Sequence, residues 1–134
     1  MAIDTQTAYA LTLYFSLADP SQEGHVISDL IKRLGKDKDH LKTGFVGTPF
    51  ICQALSEHGA HDLAVKLFLN EDYPSWLYAV KHGATTVWER WNLVLDDGTI
   101  SPEGMNSLNH YSLGAVMEWG YRYLLGLHDH TPDF

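Results

Sequence analysis

The sequence is poor in cysteine and in basic residues, and it contains no long apolar run. Nine Lys and Arg residues stand against seventeen Asp and Glu residues, so the formal net charge is −8 with the histidines neutral. This negative charge disfavours nucleic acid and anionic membrane surfaces as partners. Cys52 is the only cysteine, which excludes an internal disulfide and suits a reducing compartment. No apolar stretch approaches the roughly 20 residues that span a bilayer.

Cap residues, prolines and apolar periodicity predict six helices in a single domain. The first helix, capped by Asp4, is apolar nearly all round and should be buried on most sides. The second starts at Asp19-Pro20 and has one apolar stripe opposite a polar face. This pairing of an inner with an outer helix is expected of an array of α-hairpins. The six approximate ranges are 4–17, 19–34, 48–59, 61–70, 74–83 and 108–125.

Three segments between the predicted helices have sequence patterns that are not helical. Residues 35–42 alternate in charge and read as a solvated connection. Residues 43–47 contain two glycines, which predicts a loop whose backbone approaches something closely. Residues 93–101 carry Asp96-Asp97-Gly98 between short apolar runs, which is typical of a β-hairpin turn. The predicted fold class is therefore all-α with a small β-hairpin insertion.

The segment 83–91, Gly-Ala-Thr-Thr-Val-Trp-Glu-Arg-Trp, places one carboxylate among large aromatic rings. Its β-branched run favours extended chain over helix. Aromatic rings are common platforms for the apolar face of a sugar, and a carboxylate between them is a typical acid or base of glycoside chemistry. The alternative interpretation is that Trp88 and Trp91 are core residues and that Glu89 pairs with Arg90.

Four blocks of this sequence resemble the catalytic domain of bacterial α-L-rhamnosidases. They are residues 83–91, Met-Asn-Ser-Leu-Asn-His-Tyr at 105–111, Thr-Gly-Phe-Val-Gly-Thr-Pro at 43–49 and Pro-Ser-Trp-Leu-Tyr at 74–78. Their order is that of the family, and the resemblance covers nearly the whole chain. The resemblance implies an (α/α)6 toroid of six helical hairpins and hydrolysis with inversion. Because the sequence predicts about three hairpins, residues 1–134 are expected to form about half of such a toroid, a partial catalytic domain.

The resemblance also implies roles for individual residues. Glu89 is similar to the general base of the family, and His110 to a histidine that contacts the bound rhamnose. The family's general acid lies upstream of anything in this sequence. The remaining candidate carboxylates read as solvated groups: Glu57, Glu71, Glu103 and Glu118.

The aromatic and amide residues around Glu89 are further candidates for substrate binding. Trp88, Trp91 and Trp76 are candidates for stacking on the sugar, although tryptophans in helical arrays more often fill the core. Asn109 could orient His110 or simply cap the last helix. No cofactor is expected. His128-Asp129-His130 resembles a metal cluster only superficially, because the spacing is poor and no third ligand is suggested, so no metal is expected.

The sequence therefore predicts part of a glycoside hydrolase that removes terminal α-L-rhamnosyl groups, with a rhamnose-containing glycoside as its partner. The alternative is a truncated, non-catalytic helical module that only binds sugar or self-associates. Half a toroid would leave its flanks open, which predicts a homodimer through Tyr9, Leu13 or Tyr14 and the last helix. The N-terminus has no signal-peptide pattern, which slightly favours the bacterial cytoplasm.

Overall fold

A computed structural model describes residues 3–127 of the chain. Within that range the protein is helical, which confirms the predicted class. The helices are α1 (Gln6–Tyr14), α2 (Glu23–Lys36), α3 (Thr48–Glu57), α4 (His61–Phe68), α5 (Trp76–Lys81) and α6 (Val116–Trp119). A 3-10 turn over Ser112–Ala115 precedes α6, and a π-helical turn over Gly120–Leu124 follows it. None of the helices in residues 3–127 is long and apolar enough to cross a membrane.

Helix α1 packs in the angle between α2 and α3. Tyr9 and Leu13 are only 5% and 2% exposed, whereas Phe15, just beyond the helix, lies open to solvent. The predicted cap was wrong: the hydroxyl of Thr5 accepts the hydrogen bond from the Ala8 amide. Asp4 instead accepts a hydrogen bond from the Tyr9 hydroxyl at 3.2 Å. The first helix is thus covered by its own chain along most of its length.

Helix α2 begins later than predicted because Asp19 forms a separate turn before the helix. The Asp19 carboxylate accepts hydrogen bonds from the amide and hydroxyl of Ser21. The predicted apolar stripe is largely confirmed, with Leu30 and Leu34 fully buried and Ile31 exposed. The following connection is not simply solvated, because Leu41 is also fully buried in the core.

Helices α3 and α4 form the hairpin at the centre of the core. The prediction that Thr48-Pro49 opens α3 is confirmed, as is the turn at Gly59, whose φ of +79° suits glycine. Cys52 is buried, as predicted, and burial raises the pKa of its thiol to about 12. Trp119 of α6 is fully buried against this hairpin and donates its indole N–H to the Ser56 hydroxyl at 2.8 Å.

The last helix was predicted from Leu108 but begins only at Ser112. Residues 107–110 are held out of the helix because their backbone pairs with the Glu89 segment: the His110 amide donates to the Val87 carbonyl at 2.8 Å. The predicted β-hairpin is reduced to one antiparallel bridge between Val94 and Ile100. No longer strand is assigned anywhere in residues 3–127.

Candidate active site

Three segments far apart in sequence meet around Glu89: residues 43–47, 86–92 and 104–113. They border a cavity of about 300 Å³. Its lining is Gly44, Phe45, Tyr73, Glu89, Arg90, Trp91, Asn92, Met105 and Leu113. Glu89 is the only carboxylate among these described residues, and three of the others are aromatic: Phe45, Tyr73 and Trp91. The cavity thus combines one acidic group with aromatic walls, and its volume is at the lower end of ordinary ligand pockets.

The Glu89 carboxylate is fixed by the backbone of the facing segment. Its Oε2 atom accepts a hydrogen bond from the Ser107 amide at 2.9 Å, and the Glu89 amide donates to the Ser107 carbonyl at 3.0 Å. The side chain is neither fully buried nor fully exposed. A partly exposed carboxylate with one oxygen bound to the backbone has a defined orientation and can still accept a proton from a ligand or water.

Arg90 does not pair with Glu89 in the described part of the chain, contrary to the alternative interpretation of the sequence. Its guanidinium forms an ion pair with Glu103 and donates a hydrogen bond to the Gly104 carbonyl at 2.9 Å. These contacts attach the loop after Ser101 to the Glu89 segment. Arg90 therefore organises the backbone around the cavity and leaves the Glu89 carboxylate available.

The Glu89 segment is non-helical, as its β-branched residues predicted. The Thr86 hydroxyl donates to the Leu108 carbonyl, and the Val87 carbonyl accepts from the His110 amide. Together with the two hydrogen bonds between Glu89 and Ser107, these bonds hold the two segments side by side. They bring the segments that carry Glu89 and His110 together.

The predicted stacking tryptophans have different positions. Trp91 lines the Glu89 cavity, donates its indole N–H to the Thr43 carbonyl at 3.1 Å and contacts Trp76 edge-on at 5.3 Å between ring centroids. Trp76 donates to the Leu113 carbonyl at 2.7 Å. Trp88 is only 5% exposed and packs with Tyr78 and Leu93 in a second small core. Of the three, Trp91 is the one that lines the cavity beside Glu89.

A second cavity of about 290 Å³ lies beside the first, between α5 and residues 84–88. Trp76 and Trp88 line it, and Trp91, Arg90 and Leu113 separate it from the Glu89 cavity because they line both. Its walls are almost entirely apolar. Stacking of a sugar on Trp76 or Trp88 stays a prediction, and their burial favours a packing role for both.

His110 adjoins the Glu89 cavity through Phe45. Its imidazole lies flat against the Phe45 ring, with centroids 5.0 Å apart and planes 10° apart. A second parallel ring is that of Tyr111, at 5.1 Å and 13°. The Ser112 amide donates to its Nδ1 atom at 3.3 Å. Asn109 is exposed and lies before the last helix, so it does not cap that helix; its amide donates to the Ser107 hydroxyl.

Phe45, Tyr73 and Met105 line the cavity, but the sequence did not single them out. Phe45 lies between Gly44 and Gly47, in the loop predicted to approach something closely. The close approach occurs at Gly47, where an added Cβ would stand 2.5 Å from the Thr7 hydroxyl oxygen. That glycine pair was the signal that could have pointed to Phe45.

The other glutamates considered as acids are bound elsewhere on the protein. Glu57 accepts from the Tyr123 hydroxyl at 2.6 Å, and Glu71 pairs with Lys81 at 3.1 Å. Glu103 pairs with Arg90, and Glu118 with Arg122 at 3.3 Å. Glu89 is thus set apart from these four by its position on the cavity wall.

No group of three or more metal-binding side chains occurs in the part of the chain that the structure describes. His128, Asp129 and His130 lie outside the described residues.

The helical hairpins and the carboxylate on the wall of an aromatic-lined cavity agree with the expected class of helical-hairpin glycosidases. Residues 1–124 match a family described as the bacterial α-L-rhamnosidase 6 hairpin glycosidase domain. The chain belongs to this family. The resemblance noted in the sequence is thereby confirmed.

Individual relatives agree with this assignment. The chain is 44% identical to an α-L-rhamnosidase of Alteromonas sp. (strain LOR), covering 98% of the chain and 14% of that protein. It superposes on an α-L-rhamnosidase of Streptomyces avermitilis, solved in complex with L-rhamnose, with a TM-score of 0.91, 38% identity and coverage of 96% and 12%. For the enzyme of Aspergillus terreus the TM-score is 0.93, the identity 37% and the coverage 98% and 15%. The chain thus spans about one seventh of the length of these relatives.

Proposed function

We propose that this chain forms the general-base side of the active site of an inverting glycoside hydrolase that removes terminal α-L-rhamnosyl groups. The observation that carries the proposal is Glu89: one carboxylate, oriented by the Ser107 amide, on the wall of an aromatic-lined cavity. Membership of the rhamnosidase family supports the class of reaction, and a relative solved with L-rhamnose supports the sugar.

In this mechanism Glu89 removes a proton from water as the water attacks the anomeric carbon from the face opposite the leaving group. The hydrogen bond from Ser107 limits rotation of the carboxylate, so its free lone pairs keep one direction. Phe45, Tyr73 and Trp91 offer apolar surface to the sugar ring, and His110 donates a hydrogen bond to a sugar hydroxyl. A positioned base of this kind contributes roughly 10²- to 10⁴-fold to the rate.

Inversion also needs a general acid on the opposite side of the glycosidic bond, with about 6.5–9.5 Å between the two carboxyl groups. Glu89 is the only carboxylate that lines the cavity within residues 3–127. We therefore expect the acid to come from a part of the toroid outside the described residues. The isolated chain should then hydrolyse p-nitrophenyl α-L-rhamnoside no faster than buffer.

The base is best tested in a complete toroid. The matching 131 residues of the Alteromonas enzyme would be replaced by this chain, and Glu89→Ala introduced in the hybrid. We expect kcat to fall by at least about 10²-fold with the fold intact, because proton removal from water is lost. Azide, which needs no base, should restore turnover and give a rhamnosyl azide of inverted configuration.

Glu118→Gln is the matched control. It removes the charge of an exposed carboxylate on α6 that pairs with Arg122 and lies outside the cavity. It should leave kcat unchanged. A Glu89→Ala hybrid with near-native kcat would show that Glu89 only supports the backbone at Ser107. Turnover by the isolated chain that disappears with Glu89→Gln would instead place an acid within this chain or across a dimer.

A non-catalytic module that binds sugar or self-associates is the second candidate. The observation in its favour is a set of exposed apolar side chains near the end of α1 and along the last helical turns. They are Phe15, Leu17, Met117, Tyr121, Leu124, Leu125 and Leu127. Exposed apolar area of this kind is often an interaction surface.

A further inference from the structure

The His110 ring stacks with two aromatic rings. Phe45 lies at 5.0 Å and Tyr111 at 5.1 Å between ring centroids, and both planes are within 13° of the imidazole plane. Two parallel neighbours restrict tilting of the imidazole. The hydrogen bond from the Ser112 amide to Nδ1 limits rotation of the ring about the Cβ–Cγ bond.

The contact with Ser112 also selects the tautomer. An amide N–H can only donate, so the Nδ1 atom that faces it at 3.3 Å must accept. In the neutral ring the proton then resides on Nε2, which becomes the sole N–H donor that the imidazole can offer. Position and donor identity of this side chain are therefore both set by neighbouring residues.

The Phe45 side of the stack is anchored to the protein interior. The loop 43–47 is held by the hydroxyl contact between Thr43 and Thr48 at 2.9 Å and by the bond from the Trp91 indole to the Thr43 carbonyl. Gly47 packs so closely on Thr7 that no larger residue fits without a shift. Phe45 is thus a fixed wall that also lines the Glu89 cavity.

Tyr111 is the less expected of the two rings that stack with His110, because 84% of its surface is exposed. Within residues 3–127 such an open side chain adds little to the core, and the aromatic ring that it contacts is His110. The contact with the imidazole is therefore the interaction that the described residues give to the Tyr111 ring.

We propose that Phe45 and Tyr111 are positioning residues that hold the His110 ring by stacking on it, with Ser112 fixing its tautomer, so that Nε2–H is presented as a donor to the sugar. This inference rests on the proposed function for the identity of the ligand, but the geometry of the stack is independent of it. Neither Phe45 nor Tyr111 is assigned a chemical step; both act through His110.

Nitrogen-15 NMR of the histidine rings in the chain itself tests the proposal, with the His110 signals assigned by their loss in His110→Gln. We expect the Nε2–H tautomer, with ring protons moved upfield by the two neighbouring rings. Phe45→Leu and Tyr111→Leu should each reduce the upfield shift and mix the tautomers. Tyr111→Phe keeps the ring and should behave as the unsubstituted chain, as should Tyr121→Leu, which removes an exposed tyrosine elsewhere.

In the hybrid enzyme, Tyr111→Leu should raise KM for the rhamnoside roughly 3- to 10-fold, the worth of one well-oriented hydrogen bond, while Tyr111→Phe leaves it unchanged. An unchanged tautomer and unchanged ring shifts in Tyr111→Leu would overturn the proposal. Since Tyr111 is exposed, this variant should fold even if Phe45→Leu does not. Failure of the proposed function would look different: kcat would not depend on Glu89, although the His110 spectrum still responded to Tyr111→Leu.

Discussion

Trp91 links the segment that carries Glu89 to the loop that carries Phe45. Its indole N–H donates to the Thr43 carbonyl across 48 positions of sequence, and its ring lines the cavity. Thr43 is itself almost fully buried, so no water replaces the indole easily if it is lost. A single side chain thus sets the distance between two walls of the candidate site.

Trp91→Phe removes the indole N–H donor but keeps an aromatic ring, so it tests the hydrogen bond independently of the apolar contact. The substitution leaves the buried Thr43 carbonyl without its donor, which costs about 1–3 kcal/mol in free energy of unfolding. Urea denaturation measures this cost. Amide hydrogen exchange should also become faster in residues 43–47, because the loop loses one of its attachments.

Trp88→Phe is the matched comparison, since it removes the same atoms from a tryptophan in the other core cluster. It should lower stability through lost packing, yet leave exchange in residues 43–47 unchanged. Equal exchange rates in that loop for both variants would contradict the structural role given to Trp91.

Helices α1 and α2 are joined by a polar cluster centred on Asp37, just after α2. Its carboxylate accepts from the Arg33 guanidinium at 2.7 Å and from the Gln6 amide at 2.9 Å. Gln6 also donates to the His40 carbonyl and accepts from the Lys42 amide. Burial opposes ionisation of Asp37, but the hydrogen bonds from Arg33 and Gln6 outweigh it and hold the pKa of this carboxyl below its usual value.

The lowered pKa of Asp37 predicts how the α1–α2 unit responds to acid. A carboxyl that binds its proton less readily in the folded than in the unfolded state stabilises the fold above the ordinary value of 3.8. That contribution is lost as pH falls from there through the lower folded pKa. Asp37→Asn should cost about 1–3 kcal/mol at pH 7 and should flatten the acid limb of a plot of stability against pH.

Asp29→Asn serves as the control on the same helix. Asp29 pairs with Lys32 on the surface, and surface pairs of this kind contribute little. The acid limb of the stability curve of Asp29→Asn should follow that of the unsubstituted chain. An Asp37→Asn variant with the same steep acid limb would assign the acid sensitivity to other carboxylates.

At the scale of the whole molecule, the structure buries two of the residues that the sequence placed on an open flank of the half-toroid. Tyr9 and Leu13 were expected at a dimer interface, but α2 and α3 cover them. Tyr14 is partly buried and packs on Phe15 and Phe50. Exposed apolar side chains also lie beyond the end of α1 and along the last helical turns, and these side chains are the candidate contact surface for a partner.

We predict that the isolated chain self-associates at micromolar concentration through this surface. Sedimentation velocity should show a dimer or larger species, because the exposed apolar side chains gain free energy when they are removed from water. Leu17→Glu, at a position 70% exposed, should shift the chain toward monomer. Ile100→Glu adds the same charge on the distant hairpin and should not. A well-folded monomer under these conditions would refute the prediction.

Local patterns in the sequence determined the helical class, the start of α3, the non-helical form of the Glu89 segment and the family. Each of these depends on residues within a few positions of one another: a cap and a proline, an apolar stripe, a β-branched run, a short block of motif. Such signals act over one or two turns of chain.

Only the tertiary structure decided what Glu89 contacts, that Trp88 is core, and where the last helix begins. Glu89 meets Ser107 across 18 positions, and Trp91 meets Thr43 across 48. Residues 107–110 have a helical pattern that is overridden because their backbone groups bond to the Glu89 segment instead. Pairings of this range depend on how α3, α5 and the loops pack together, and no periodicity in the sequence records that packing.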